Sequence, residues 1–421
     1  MLIQQQKTPC RHCCPRPLSP NNSSRQSARC LLIYNKLVWL TDKCVLYKLY
    51  TFDAASVSDN IQHMSRPAIA WINLDHLCHN YRLLQQAATD ASVMAVVKAN
   101  AYGHGLNLVA PALFRAGCRL FAVTDADEGA KLRNILRSDD PAGDTEIALL
   151  SGIFDAGDAS LATTEHLTPT ISDSAQCDML QAADFDGAAW IKVDTGMNRL
   201  GAAEPQVLIR QCLQAGIQIR GFMSHLACAD TPLHPMNRQQ AERFASLCDQ
   251  AAPQLPRSLL NSAGIISMPD QCLDVVRPGI ALYGAEPVAE KPMGLKPVMR
   301  MTARVIQVRD IKAGETVSYS ASFTAETSMR IAIVSAGYAD GIPRALSGCG
   351  QASCHDRLLP VTGRVCMDYT MLNVSDTNIQ SGDNVEFWGM ELAANDVASM
   401  IDTISYTLFT GVGERVRRVP V

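Results

Sequence analysis

Lys98 ends an apolar run, Val93 to Val97, and is followed by Ala-Asn-Ala-Tyr-Gly-His-Gly, residues 99–105. Apolar run, small residues, glycines and then an amphipathic stretch predict a buried strand, a tight turn and a helix. A lysine at the end of a buried strand is costly to desolvate. Burial lowers its ammonium pKa, and a lowered pKa is what an imine-forming or proton-abstracting lysine requires. Other polar residues follow short apolar runs in the same way: Lys192, Asp194, Ser224, His225, Asn261, Ser262 and Arg277. Each alone reads as a hydrogen-bonding group. Together, at successive strand ends, they read as a site.

The elements that must position them recur regularly. Strands are expected to end near Lys98, Asp125, Gly152, Ser172, Asp194, His225, Ser262 and Gly279, with helical stretches between. Eight such units over roughly 200 residues predict a parallel (β/α)8 barrel, whose chemistry lies at the carboxyl ends of the strands. Ala68 to Leu74 reads as a preceding strand and Leu77 to Ala88 as a helix. Asp125 with Glu128 predicts a capping box. Pro111 inside the pattern Leu106 to Ala116 predicts a kink or a late helix start. After Pro297 the pattern alternates and Gly/Asp turns punctuate it, predicting an all-β second domain with one short helix at Asn395 to Ile404. The expected domains are therefore 64–295, the barrel, and 296–421, the β domain.

Residues 1–63 read differently. Cys10, His12, Cys13 and Cys14 crowd together before a Ser/Asn-rich run. Adjacent ligands without a second, spaced pair make a poor tetrahedral metal site. The stretch reads as a disordered or non-native extension, and no metal is expected in the chain. The 421 residues carry a net charge of −4, which excludes a polyanion-binding field. No apolar run is long enough to span a bilayer. The 15 cysteines show no disulfide-scaffold spacing, so a cytoplasmic location is expected.

The stretch from Val96 to Gly105 resembles the pyridoxal-phosphate lysine motif of the alanine racemases. Further stretches extend the resemblance in order: Lys192 to Gly201, Met223 to Leu226, Asn261-Ser262-Ala263, Val276 to Ile280, Val317-Ser318-Tyr319, Gly337 to Gly341, Gly363 to Asp368, and Ser405-Tyr406. It covers Ser65 to Val421. It implies a homodimer interconverting L- and D-alanine by two bases on a pyridoxal phosphate imine, with D-alanine serving peptidoglycan. Lys98 would hold the cofactor and act as base on one face. Tyr319, from the second subunit, would act on the other. An unperturbed tyrosine ionises near ~10, so His225 with Arg277 is expected to form a cationic network that lowers it. Arg277 would face the pyridine nitrogen and keep it unprotonated. Arg199 would hold the phenolate and approach the substrate carboxylate. Lys192 would be carbamylated and steady that arginine. The resemblance also implies cofactor contacts from Asn261. Ser262, the N–H groups of Gly279 and Ile280, Tyr102 and Tyr406 would bind the phosphate. Met367 and Tyr338 would narrow the pocket around a small side chain.

Asn198 occupies a position that varies in the family, and Ser320 and Phe323 replace the commoner Gly and Tyr after Tyr319, which leaves a racemase of serine or lysine as the nearest alternative. A barrel-type decarboxylase should place a carboxylate at the ring nitrogen and a cysteine as proton donor. Arg277 and Tyr319 speak against it. A non-enzymatic pyridoxal phosphate carrier would need no second domain.

Overall fold

The structure, a computed structural model, describes residues 67–421. The readings placed on 1–63, including the set around Cys10, lie outside the described residues. The first strand, β1 (Ile69–Ile72), leads into a helix, Leu74–Ala87, whose Asn73 cap accepts from the His76 N–H at 2.8 Å.

Eight strands then form one parallel sheet: β2 (Ser92–Val96), β3 (Leu120–Val123), β4 (Glu146–Leu149), β5 (Thr168–Ile171), β6 (Ala188–Lys192), β7 (Gln218–Met223), β8 (Arg257–Ser258) and β9 (Val275–Val276). β2 pairs with both β3 and β9. The ring closes between β8 and β9 through a parallel bridge, Asn261 with Arg277, and the bond from Arg277 N–H to Leu260 O at 2.9 Å. This is the expected barrel, and each strand ends one to four residues before its expected position. Trp190, Phe121 and Phe222 are fully buried in the core. Near-continuous apolar strands are what a sheet covered on both faces requires.

The second sheet is built around the 13-residue β10 (Met299–Ile311). Downstream lie β11 (Thr316–Val317), β12 (Phe323–Thr324), β13 (Met329–Val334), β14 (Gln351–Cys354), β15 (Arg357–Pro360), β16 (Thr370–Asn373), β17 (Asn384–Trp388) and β18 (Arg417–Pro420). β10 pairs with β13 and β17.

Four local expectations need correction. β1 belongs to this second sheet, antiparallel to β10 and parallel to β18, so the boundary at residue 64 does not mark the start of the barrel. An apolar strand does not declare its partner, and Trp71 is tied here by its ring N–H to Thr302 Oγ1 at 2.9 Å. The single helix expected at Asn395–Ile404 stops at Ser399, and a second helix not expected, Ser405–Thr410, follows after left-handed Asp402 and extended Ile404. Pro111 lies inside the helix Leu106–Arg115, so there is no late start. Asp125 caps its helix through the Glu128 N–H, but Glu128 does not return the bond to Asp125. Its Oε2 accepts from Thr124 N–H at 2.9 Å, one residue earlier.

Candidate active site

Lys98 follows β2 at the carboxyl end of the barrel. The chain then turns through four consecutive left-handed residues, Ala99, Asn100, Ala101 and Tyr102, with φ between 51° and 55°. Left-handed backbone costs a non-glycine residue roughly 1–2 kcal/mol, so the turn must be held from outside. Glu128 Oε1 accepts from Ala99 N–H at 2.6 Å, and Asn100 Oδ1 accepts from Leu106 N–H at 2.7 Å. Glu128 thus ties the ends of β2 and β3 together with its two oxygens.

Behind the turn, Tyr102 stacks on Tyr283 with centroids 4.9 Å apart and meets Tyr406 at 5.8 Å. Burial raises the pKa of Tyr102, and raises that of Tyr406 to about 12, so both remain hydroxyl donors. Gly279 faces Tyr102: a Cβ there would come within 2.4 Å of the Tyr102 oxygen. The N–H groups of Gly279 and Ala281 both point at Ser262 Oγ, at 2.9 and 3.3 Å.

Tyr102, Tyr406, Gly279 and Ser262 line a cavity of about 480 Å³ together with Lys98, Lys192, Arg199, His225, Asn261, Arg277 and Ile280. Four formal cations line it, and no carboxylate does. Arg277 is buried, and burial brings its pKa down to about 9, still protonated at neutral pH. Its terminal nitrogens donate to Ser258 Oγ, to Ser224 O and to Leu259 O, the last at 3.2 Å. Nε has no partner among the described residues. One terminal nitrogen also donates to His225 Nδ1 at 3.3 Å. A guanidinium only donates, so Nδ1 accepts and the imidazole proton belongs on Nε2, which stands 3.5 Å from the Asn261 amide.

Burial, then the charge of Arg277, holds the His225 pKa well below its usual value. The expectation of a cationic His225–Arg277 network is therefore corrected: the pair carries one positive charge, on the arginine. Lys192 is brought down to about 7 by burial, then by Arg277, Arg199 and Lys98. Lys98 is lowered by burial and by Arg199, while Glu128 works in the opposite sense.

Not every expected residue converges. Asp194 lies off the cavity lining and accepts from Gly196 and Asn198 N–H groups at 2.9 and 3.2 Å, shaping the loop that carries Arg199. Ser224 is buried behind the cavity and donates to Val193 O at 2.8 Å. Tyr319, Met367 and Tyr338 are 70%, 52% and 43% exposed, and none lines the cavity. Sequence reasoning missed Ser258, Tyr283, Ser151 and Thr410, and read Glu128 as a cap alone. Tyr283 donates to Val96 O at 3.1 Å; in the sequence it is one more apolar residue in Ile280–Tyr283.

The donor set fits a doubly anionic ligand. The hydroxyls of Tyr102, Tyr406 and Ser262 beside the Gly279 backbone suit a phosphate, and Lys98 suits a carbonyl carbon. A strand-end lysine in such a cavity, on a parallel barrel joined to an all-β domain, defines the class of barrel enzymes built around pyridoxal phosphate.

Comparison with known proteins makes the class specific. The family models for the alanine racemase N-terminal and C-terminal domains match residues 72–287 and 298–420. The alanine racemase of Stutzerimonas stutzeri is 39% identical over 364 residues, covering 84% of this chain and 99% of its own. The crystal structure of the biosynthetic alanine racemase of Pseudomonas aeruginosa matches with a TM-score of 0.78 at 37% identity, covering 85% of this chain and 99% of that one. An alanine racemase from Bartonella henselae with covalently bound pyridoxal phosphate matches with a TM-score of 0.78 at 34% identity, covering 84% and 99%. The chain belongs to the alanine racemase family, and its activity is that of an amino-acid racemase, an isomerase.

Proposed function

We propose that the chain interconverts L- and D-alanine with Lys98 and Tyr319 as opposed bases, in a homodimer whose active sites are each shared between two subunits. What carries the reading is the cavity: Lys98 just past the end of β2, with Lys192, Arg199 and Arg277 beside it and no carboxylate in the lining.

Pyridoxal phosphate, when bound, supplies an electron sink for the pair left behind when the substrate's α-proton departs. The phosphate would be held by Ser262 Oγ, the N–H groups of Gly279 and Ile280, and the hydroxyls of Tyr102 and Tyr406. Arg277 Nε, without a partner among the described residues, would donate to the ring nitrogen and leave it unprotonated. Arg199 would orient the phenolate and the substrate carboxylate, and Asn261 and His225 would buttress the ring. Lys98 Nζ takes the α-proton on one face, aided by a pKa already lowered by burial. Tyr319 Oη serves the other face. Its 70% exposure, away from its own chain's cavity, supports delivery to a partner's cavity. With His225 neutral, the charge favouring a tyrosinate comes from Arg277, Arg199 and Lys98. Met367 and Tyr338, also exposed, would narrow the partner's pocket.

Lys192 has the chemistry for carbamylation: an amine brought down to about 7 is partly neutral at physiological pH, and only the neutral amine attacks carbon dioxide. The carbamate would place a negative charge among Arg199, Arg277 and Lys98. The product D-alanine would serve peptidoglycan in the cytoplasm. No helix among the described residues is long and apolar enough to cross a membrane.

The experiment is proton exchange in D2O with L-alanine, and separately with L-serine and L-lysine, followed by NMR and chiral analysis. Exchange at the alanine Cα with appearance of the D-isomer is the expected result. Tyr319→Phe should lower racemisation about 100- to 10,000-fold while exchange on the Lys98 face persists. Racemisation surviving unchanged in that variant would overturn the assignment of the second base. Preferential turnover of serine or lysine would overturn alanine as the substrate.

A further inference from the structure

The geometry points to a divalent-cation site, of the kind that takes Zn2+, formed by Cys354, His355 and Asp383 at the tip of the β14–β15 hairpin. None of the three lines the cofactor cavity. One ligand atom from each lies within 4.8 Å of the other two. Tetrahedral zinc with bonds of about 2.0–2.3 Å spaces N, O and S ligands about 3.3–3.6 Å apart. The three groups therefore stand near the required positions, and an adjustment of side chains brings them there.

Each group is available. Cys354 is 2% exposed, and its Sγ has no hydrogen-bond partner among the described residues. A buried thiol unpartnered beside a carboxylate and an imidazole is the observation that points to a ligand. His355 is exposed, and neither ring nitrogen has a hydrogen-bond partner among the described residues. Asp383 Oδ2 accepts from Gln380 N–H at 2.9 Å, which fixes the carboxylate and leaves Oδ1 free to ligate.

The backbone explains how neighbours in sequence converge. Consecutive residues of a strand point to opposite faces, but His355 and Asp356 have φ of 52° and 58° and make a two-residue turn between the paired Cys354 and Arg357. The turn brings the imidazole round to the side of the thiol. Asp383 arrives from the second side, anchored to the central strand: Val305 N–H donates to Asp383 O at 2.8 Å.

Soft sulfur, borderline imidazole and hard carboxylate together suit Zn2+ better than Mg2+ or Ca2+, which take oxygen ligands alone. Thiolate and carboxylate would balance the ion's two charges, and water would complete the tetrahedron. Binding releases the thiol proton to solvent. The ion would tie an edge hairpin to the sheet, where β14 and β17 share one paired position, Ser353 with Glu386.

The test uses the full chain, stripped of metal and titrated with Co2+ as a spectroscopic stand-in for Zn2+. A thiolate-to-cobalt charge-transfer band is expected, absent in Cys354→Ser and weakened in Asp383→Asn. His355→Ala changes an exposed turn residue and should leave the fold and racemase activity intact while weakening Co2+ binding more than about tenfold. Zn2+ should also raise the thermal midpoint of the wild type and not of His355→Ala. A band of equal strength and affinity in the wild type and all three variants would place the metal elsewhere, as at Cys10 to Cys14, and overturn the proposal. So would the absence of any band in the wild type.

Discussion

His104 should give this protein an acid limb of stability that one substitution removes. The imidazole is fully buried, stacked on Tyr283 at 4.5 Å and edge-on to Phe409 at 5.0 Å. Nδ1 faces the carbonyl of Tyr102 at 2.9 Å, and a carbonyl only accepts, so Nδ1 carries the proton. Nε2 is buried with no partner. Protonating it would create a charge with no acceptor, near the cation Arg418. The folded-state pKa is accordingly held down at about 4, chiefly by burial.

The sign follows directly. The unfolded imidazole ionises near ~6.5, so between that value and 4 the unfolded chain binds a proton the folded chain refuses. Stability is fully present above the unfolded pKa and is lost as pH falls towards the folded one. By about pH 5 the loss is about 2 kcal/mol, approaching about 3 kcal/mol at lower pH. His104→Phe keeps a ring against Tyr283 and Phe409, removes one bond to Tyr102 and removes the unpartnered nitrogen. Those changes do not depend on pH. Urea unfolding, followed by circular dichroism at about pH 7.5 and about pH 5, should show the wild type losing about 2 kcal/mol more than the variant. His225 titrates in the same sense in both proteins and cancels from the difference. Equal losses would mean that His104 is protonated within the fold, and the account of Nε2 would be refuted.

Gly279→Ala would put a methyl group within 2.4 Å of the Tyr102 oxygen, and should weaken pyridoxal phosphate binding by at least about tenfold in an absorbance titration. Glu128→Gln removes the carboxylate that holds the Lys98 pKa up, so that pKa should fall further, read in the cofactor-free protein as an acid shift in the pH dependence of the rate at which Lys98 captures added pyridoxal phosphate. The same variant loses the acceptor at Ala99 or at Thr124, and hydrogen exchange at those amides should quicken.

Much of this was legible because strand ends and chemistry coincide. In a parallel barrel every strand delivers its last residues to one rim, so an ordered series of short apolar runs ending in Lys98, Lys192, His225, Asn261 and Arg277 describes both the fold and the cavity lining. The alternating pattern after Pro297 marked the second domain for the same reason: side-chain period is local. What periodicity cannot carry is choice of partner. β1 has a strand's pattern, and only pairing with β10 and β18 removes it from the barrel domain.

The charge state of the site also belonged to the tertiary structure. The residue types announce His225 and Arg277 as two cations. Burial and a 3.3 Å contact reduce them to one. Glu128 reads as a cap from its spacing, yet its oxygens reach Ala99, 29 residues away, and hold a left-handed turn that no propensity favours. Composition and period set which faces are buried, whereas desolvation and long-range contact set which groups stay charged and where the lysine is held.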